Sequence, residues 1–335
     1  MTYKHIFYFV FYVLLVGVTV SCAGKKQKEE PSGQSPAQVT YTPSFNSDSA
    51  YSFVESQVAF GPRVPGTAAH SKCALWLERK LQRYLPEVTV QKTKVRAYNG
   101  QLLDCKNIIA AFHPERTGRI LLCAHWDSRP VADHDDDPSK REQAVLGAND
   151  GASGVGVLIE IARQLSLEDP GVGVDIVLFD VEDYGQPEDY VPQKEDTWCL
   201  GSQYWSKNPH KPGYTARFGI LLDMVGAENA AFYKEASSLY YAPDVVSMVW
   251  ETAAREGFSD YFTDQQGGEV TDDHYYINTN LKIPTIDIIQ QNPGGQHSFF
   301  PYWHTTKDDM QCISRSTLGA VGNTLMIVLH QDKPV

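Results

Sequence analysis

Cysteine is scarce in this chain. Six occur in 335 residues and no two form a CxxC pair, which argues against a zinc site built from thiolates. Positive charge is also short: 29 Lys and Arg stand against 41 Asp and Glu, for a formal net charge of −12. A surface of that sign does not attract nucleic acid or anionic lipid. Beyond residue 22 no apolar run is long enough to cross a bilayer. No internal repeat is visible, and no GxSxG elbow marks a serine hydrolase. The remaining composition, 42% hydrophobic, 11% aromatic and 21% charged, suits one large globular domain.

The first 22 residues have the layout of an export signal. Lys4 supplies the positive end, Ile6 to Val20 an apolar segment, and Ser21-Cys22 a small residue before a cysteine. That ending resembles a bacterial lipobox, in which the cysteine is lipidated, although Thr19 stands where Leu is usual. Residues 23–46 are polar and read as a disordered tether, leaving 47–335 as the folded domain. The expected location is exported and periplasmic, with a lipid anchor on Cys22. Cys73, Cys105, Cys123, Cys199 and Cys312 then remain. Their odd count leaves a thiol free even where disulfides are permitted, and Cys123, inside ILLCAH, reads as a buried small hydrophobe.

Periodicity predicts a single α/β/α sandwich with a mixed, mostly parallel, twisted central sheet. Arg119–Ala124, Val174–Phe179, Phe218–Leu222 and Ile283–Ile289 are short and almost wholly apolar, the pattern of strands covered on both faces. Val88–Arg96 and Leu103–Phe112 are expected to pair as a hairpin through Asn99-Gly100. Helices are expected at 50–59, 69–84, 151–164, 243–256 and 316–330. The polar stretch 185–197 is long for a loop and is expected to rim a site.

Four motifs carry the chemistry: AHWDS at His125, GANDGASG at Asp150, FDVEDYG at Glu182-Asp183 and YWHTTKDD at His304. Each is expected to sit where a buried strand ends, and strand C-termini are where an open sheet gathers a site. Carboxylates and neutral imidazole are zinc's oxygen and nitrogen ligands. Period two puts Asp127 on the same face as His125, positioned to orient the imidazole. Asp150 reads either as a ligand or as the cap of the following helix. The glycines after it match a nucleotide-binding loop poorly, because Asp150 would repel a pyrophosphate. Adjacent carboxylates such as Glu182 and Asp183 can divide their labour, one on a cation and one on protons. Asp223 ends a further strand, and Asp272-Asp273-His274 adds more acid. Trp303 precedes His304 in an aromatic loop that also holds His297.

Taken together, HWDS, NDGASG, VED, LLDMVGA, DDH and WHT resemble, in order, the glutaminyl-peptide cyclotransferases of the zinc-dependent exopeptidase clan, from about Tyr51 to the C-terminus. The resemblance implies a zinc-aminopeptidase-like fold and conversion of N-terminal glutamine to pyroglutamate with loss of ammonia. It implies one zinc per chain on Asp150, Asp183 and His304, where Asp183 replaces the family's usual Glu. Glu182 would be the general acid/base, Asp223 and Asp272 its partners, and Trp303 and Trp198 the pocket walls, though the sequence around Trp198 departs from the family pattern. The implied partners are peptides and proteins bearing N-terminal Gln, and the expected state is a monomer. Two alternatives remain open. One is a two-zinc aminopeptidase of the same clan, with His125, Asp150, Asp183, Asp223 and His304 as ligands. The other is a metal-free surface binding protein.

Overall fold

The computed structural model describes residues 44–294 and 298–331. The leader, Cys22 and most of the expected tether lie outside them. The described part opens on Ser44, which donates to Gln164, and on Phe45, whose ring lies where any side chain at Gly322 would have to go. Packing therefore reaches slightly ahead of residue 47.

Among the described residues eight strands follow in chain order: β1 Glu87–Arg96, β2 Leu102–Phe112, β3 Arg119–His125, β4 Gly173–Phe179, β5 Phe218–Asp223, β6 Phe232–Lys234, β7 Phe262–Gln266 and β8 Thr285–Ile289. Six form the central sheet in the order β1-β2-β4-β3-β5-β8. The hairpin β1–β2 and the pair β2–β4 are antiparallel, whereas β4–β3, β3–β5 and β5–β8 are parallel. The mixed, mostly parallel sheet is as expected. The hairpin turns at Gly100, whose φ of 87° suits glycine. Outside this sheet β6 and β7 pair with each other in parallel, a short element that periodicity does not reveal.

The all-apolar strands divide their side chains between two cores. Ile120, Leu122, Ala124, Ile176, Leu178, Ile220 and Leu222 face the larger one, with helices α1 Ser47–Val58, α2 Ala68–Gln82, α3 Ala152–Leu165, α6 Pro243–Arg255 and α8 Arg315–Gln331. Their alternates Leu121, Cys123, Val177, Phe179 and Leu221 meet Trp205 of α4 Leu200–Lys207 on the other face. Two shorter helices, α5 Ala236–Tyr241 and α7 Asp273–Tyr276, complete the set. Helix α3 lies close against the sheet because Gly154 has no side chain: a Cβ there would sit 2.3 Å from the Leu222 carbonyl oxygen. That approach brings the loop before α3 to the ends of β3 and β5. Cys73, Cys105, Cys123, Cys199 and Cys312 are all buried and free.

Candidate active site

Because β4, β3, β5 and β8 run parallel, their C-termini open on one edge of the sheet. His125 is the last residue of β3 and Asp223 the last of β5, while Glu182 and Asp183 follow β4. Contrary to expectation, the other two motifs do not end strands: Asp150 arrives from the loop before α3, and His304 from the loop after β8. Five of these line a cavity of about 410 Å³, together with Asp272, Trp198 and Trp303; His125 is buried against two of them, Asp150 and Asp223.

Two donor trios share Asp150. In one, Asp150, Asp183 and His304 converge, with His304 Nε2 3.2 Å from Asp183 Oδ1 and 3.8 Å from Asp150 Oδ2. In the other, His125 Nε2 lies 3.0 Å from Asp150 Oδ1 and 3.2 Å from Asp223 Oδ1. Ligands about 2.0–2.1 Å from a tetrahedral zinc stand about 3.3 Å apart, so both trios have suitable spacing. Hydrogen bonding separates them. Neither buried oxygen of Asp183 makes a well-aligned hydrogen bond, the His304 ring at 3.2 Å being poorly directed toward Oδ1, a state that is costly unless something cationic faces them. His125 Nε2, in contrast, already hydrogen-bonds Asp223. The first trio fits a zinc ion in donor type, spacing and unmet need. Burial and the neighbouring Asp150 push the Asp183 carboxyl up to about 6.

Two buried carboxylates hold the ligand loops by their backbones. Asp127 accepts from the amides of Glu182 and Asp183 at 3.1 and 3.2 Å. Asp308 accepts from those of Asn149 and Asp150 at 2.7 and 3.0 Å. This corrects the expected role of Asp127. It lies past the end of β3, where strand alternation no longer governs direction, and its carboxylate stays 3.6 Å from His125 Nδ1. Asp150 is likewise no helix cap. Gly151 occupies the cap position at φ 93°, with no side-chain capping bond to α3.

His304 is enclosed. Its ring stacks on Trp303 at 3.8 Å between centroids and on Trp198 at 5.6 Å, so both predicted walls are brought together around it. Asp133 stands 3.3 Å behind Nδ1, the carboxylate placement that orients a ligating imidazole. Asp133 is in turn gripped by both sides of the buried Arg129 guanidinium. Arg129 also donates to the carbonyls of Asp183 and Gly185 and lies over the Trp198 ring at 4.4 Å. Gly185 leaves room for that ring, since a Cβ there would fall 1.9 Å from it. Neither Asp133 nor Arg129 is singled out by motif or spacing. The polar stretch 185–197 does rim the cavity, through Gln186, Glu188 and Gln193.

Opposite this cluster sit the acids expected to handle protons. Burial, then repulsion from Asp272, Asp183 and Asp273, holds the Glu182 carboxyl well above the usual carboxylate range, although His125 opposes the shift. Burial likewise pushes Asp223 up to about 7, and it raises Asp272. Several non-glycine residues beside these groups have left-handed backbones: Val181, Cys199, Met224 and His304, with φ of 57°, 57°, 48° and 56°. Such strain persists only where surrounding contacts over-determine it, and it clusters at functional sites.

An α/β/α sandwich with His and Asp side chains converging at its parallel strand ends is the arrangement of the zinc-dependent exopeptidase class of enzyme. The sequence model of peptidase family M28 matches residues 107–329, and the chain belongs to that family. It is similar to the glutaminyl cyclase of Tannerella forsythia, at 53% identity over 87% of this chain and 100% of that one, with a TM-score of 0.85. The glutaminyl cyclase of Bacteroides thetaiotaomicron, solved with N-acetylhistamine, is 50% identical over 88% and 100%, with a TM-score of 0.86. A leucine aminopeptidase precursor from the same organism is 49% identical over 88% and 100%, with a TM-score of 0.85. The resemblance to glutaminyl cyclases carried by the motifs is borne out.

Proposed function

We propose that the protein converts the N-terminal glutamine of peptides and proteins to pyroglutamate, with one zinc per chain on Asp150, Asp183 and His304. The observation that carries the one-metal reading is the contrast between two buried side chains: Asp183 makes no well-aligned hydrogen bond, while His125 Nε2 hydrogen-bonds Asp223. The similarity to bacterial glutaminyl cyclases supports the substrate.

When bound, zinc would supply Lewis acidity toward the glutamine side-chain carbonyl. The chain's own groups do the rest. Trp198 and Trp303 form apolar walls that orient the side chain and exclude water. The α-amino nitrogen and the γ-carbonyl carbon belong to one residue, so holding them close removes most of the entropic barrier. The new C–N bond forms as the bond to the amide nitrogen breaks. Glu182 takes the amine proton and returns it to the departing ammonia. Asp272 stands beside Glu182 and helps keep its carboxyl ready to hold a proton, while Asp223 holds His125.

A two-zinc aminopeptidase remains the second reading, because His125, Asp150 and Asp223 also converge and one similar structure carries an aminopeptidase name. A metal-free binding protein is disfavoured by the convergence of Asp150, Asp183 and His304, with no well-aligned hydrogen bond to either Asp183 oxygen. Purified enzyme offered an N-terminal Gln peptide and an N-terminal Leu peptide separates these. The expected result is ammonia and a cyclised N-terminus from the first and no free leucine from the second. Replacing Trp303 by Ala should impair Gln turnover while zinc stays bound. Free leucine with the Gln peptide unchanged would overturn the cyclase reading.

The location we propose is the periplasm, with Cys22 lipidated at a membrane. Support comes from the leader sequence alone. Cys22→Ser should move the protein from the membrane fraction to the soluble fraction; unchanged fractionation would refute the lipid anchor.

A further inference from the structure

Glu182 has a neighbour that the mechanism above leaves unused. Cys199 is fully buried at the entrance to α4, and its Sγ lies 3.3 Å from Glu182 Oε1. The same sulfur is 3.9 Å from Asp272 Oδ1. A thiol has one hydrogen, and the shorter contact identifies Glu182 as its acceptor. The other Glu182 oxygen, Oε2, stands 3.7 Å from His125 Nδ1, too far to fix the carboxyl by itself.

The backbone delivers the thiol to this place. The Cys199 amide donates to the Glu182 carbonyl at 3.0 Å, and the Leu200 amide to the Val181 carbonyl at 2.9 Å. Val181 and Cys199 both take left-handed conformations, at φ 57° each. A residue with a Cβ is disfavoured there, and glycine would be the comfortable choice. A side chain retained at such a position is explained by what the side chain does. Burial, then the charge of Glu182, raises the thiol well above its ordinary range, which keeps it a donor.

We propose that Cys199 is a positioning residue, its S–H holding the Glu182 carboxyl in the orientation needed for proton transfer and spacing it from Asp272. The proposal rests on Glu182 being the general acid/base. A sulfhydryl is a weak donor, so the effect expected is moderate and confined to the step that moves a proton.

The test compares three variants on an N-terminal Gln peptide, with zinc content and thermal stability measured in parallel. Cys199→Ala should lower kcat about 3- to 10-fold, the range of one hydrogen bond to a reacting group, with KM within about twofold and zinc retained. Cys199→Ser keeps a donor and should recover most of kcat. Cys199→Gly suits the left-handed backbone but lacks the donor, so it should lose kcat as Ala does. Wild-type kcat in both Ala and Gly variants, with Glu182→Gln inactive, would overturn the positioning role. So would a Ser variant as impaired as Ala. An active Glu182→Gln enzyme would instead overturn the acid/base reading beneath it.

Discussion

Glu182→Gln is expected to retain zinc and to lose turnover of an N-terminal Gln peptide by about 10²–10⁴-fold, the usual cost of removing a general acid/base. The amide keeps the size of the carboxyl and can still accept from the Cys199 thiol at its oxygen, so the loss would be chemical. Glu182 suits proton transfer because burial and the surrounding acids Asp272, Asp183 and Asp273 hold its carboxyl well above the usual range. A group so placed takes a proton readily and must then give it up to the departing ammonia. The loss should fall on kcat, with KM little changed, because Glu182 does not hold the substrate through the aromatic walls. Zinc analysis together with steady-state kinetics checks this. A variant with zinc bound and near-full turnover would remove Glu182 from the mechanism.

Asp150→Ala should abolish both zinc retention and activity. Asp150 is the one side chain common to both donor trios, with Oδ1 toward His125 and Oδ2 toward His304. Losing an outer partner of a ligand already costs about 10–100-fold in metal affinity, and losing a ligand itself costs more. The fold should survive, because the loop is held by Asp308 through the backbone amides of Asn149 and Asp150. Circular dichroism should therefore be unchanged while elemental analysis finds no zinc. His125→Ala provides the contrast. With its Nε2 engaged by Asp223, it is expected to leave one zinc per chain in place. Two zincs in the wild-type chain, falling to one in His125→Ala, would move the assignment to the two-zinc aminopeptidase.

Much of this was legible in the chain. Strands buried on both faces appear as short apolar runs, so β3, β4, β5 and β8 and the site at their ends follow from pattern alone. The motif residues His125, Asp150, Glu182, Asp183, Asp223, Asp272, Trp303 and His304 do meet: the first five lie at or just beyond an element end that periodicity marks, whereas Asp272, Trp303 and His304 are brought in by loops. Trp198 also meets them, although its local sequence departs from the family pattern. The short pair β6–β7 and helices α4, α5 and α7 were not legible, since a few residues are too short for any period to stand out.

Sequence by itself determined the layered fold and the side chains that would converge on one site, because those depend on local periodicity and on residue type. Only the tertiary structure decided how the ligands are held. Asp308 serves amides at 149 and 150, Asp127 serves those at 182 and 183, and Cys199 reaches Glu182 across a left-handed turn. Arg129 reaches Asp133, two carbonyl groups and the face of Trp198 at once. Such contacts leave no trace in spacing. A backbone amide is the same at every position, and which carboxylate or thiol finds it depends on how the loops close over the sheet.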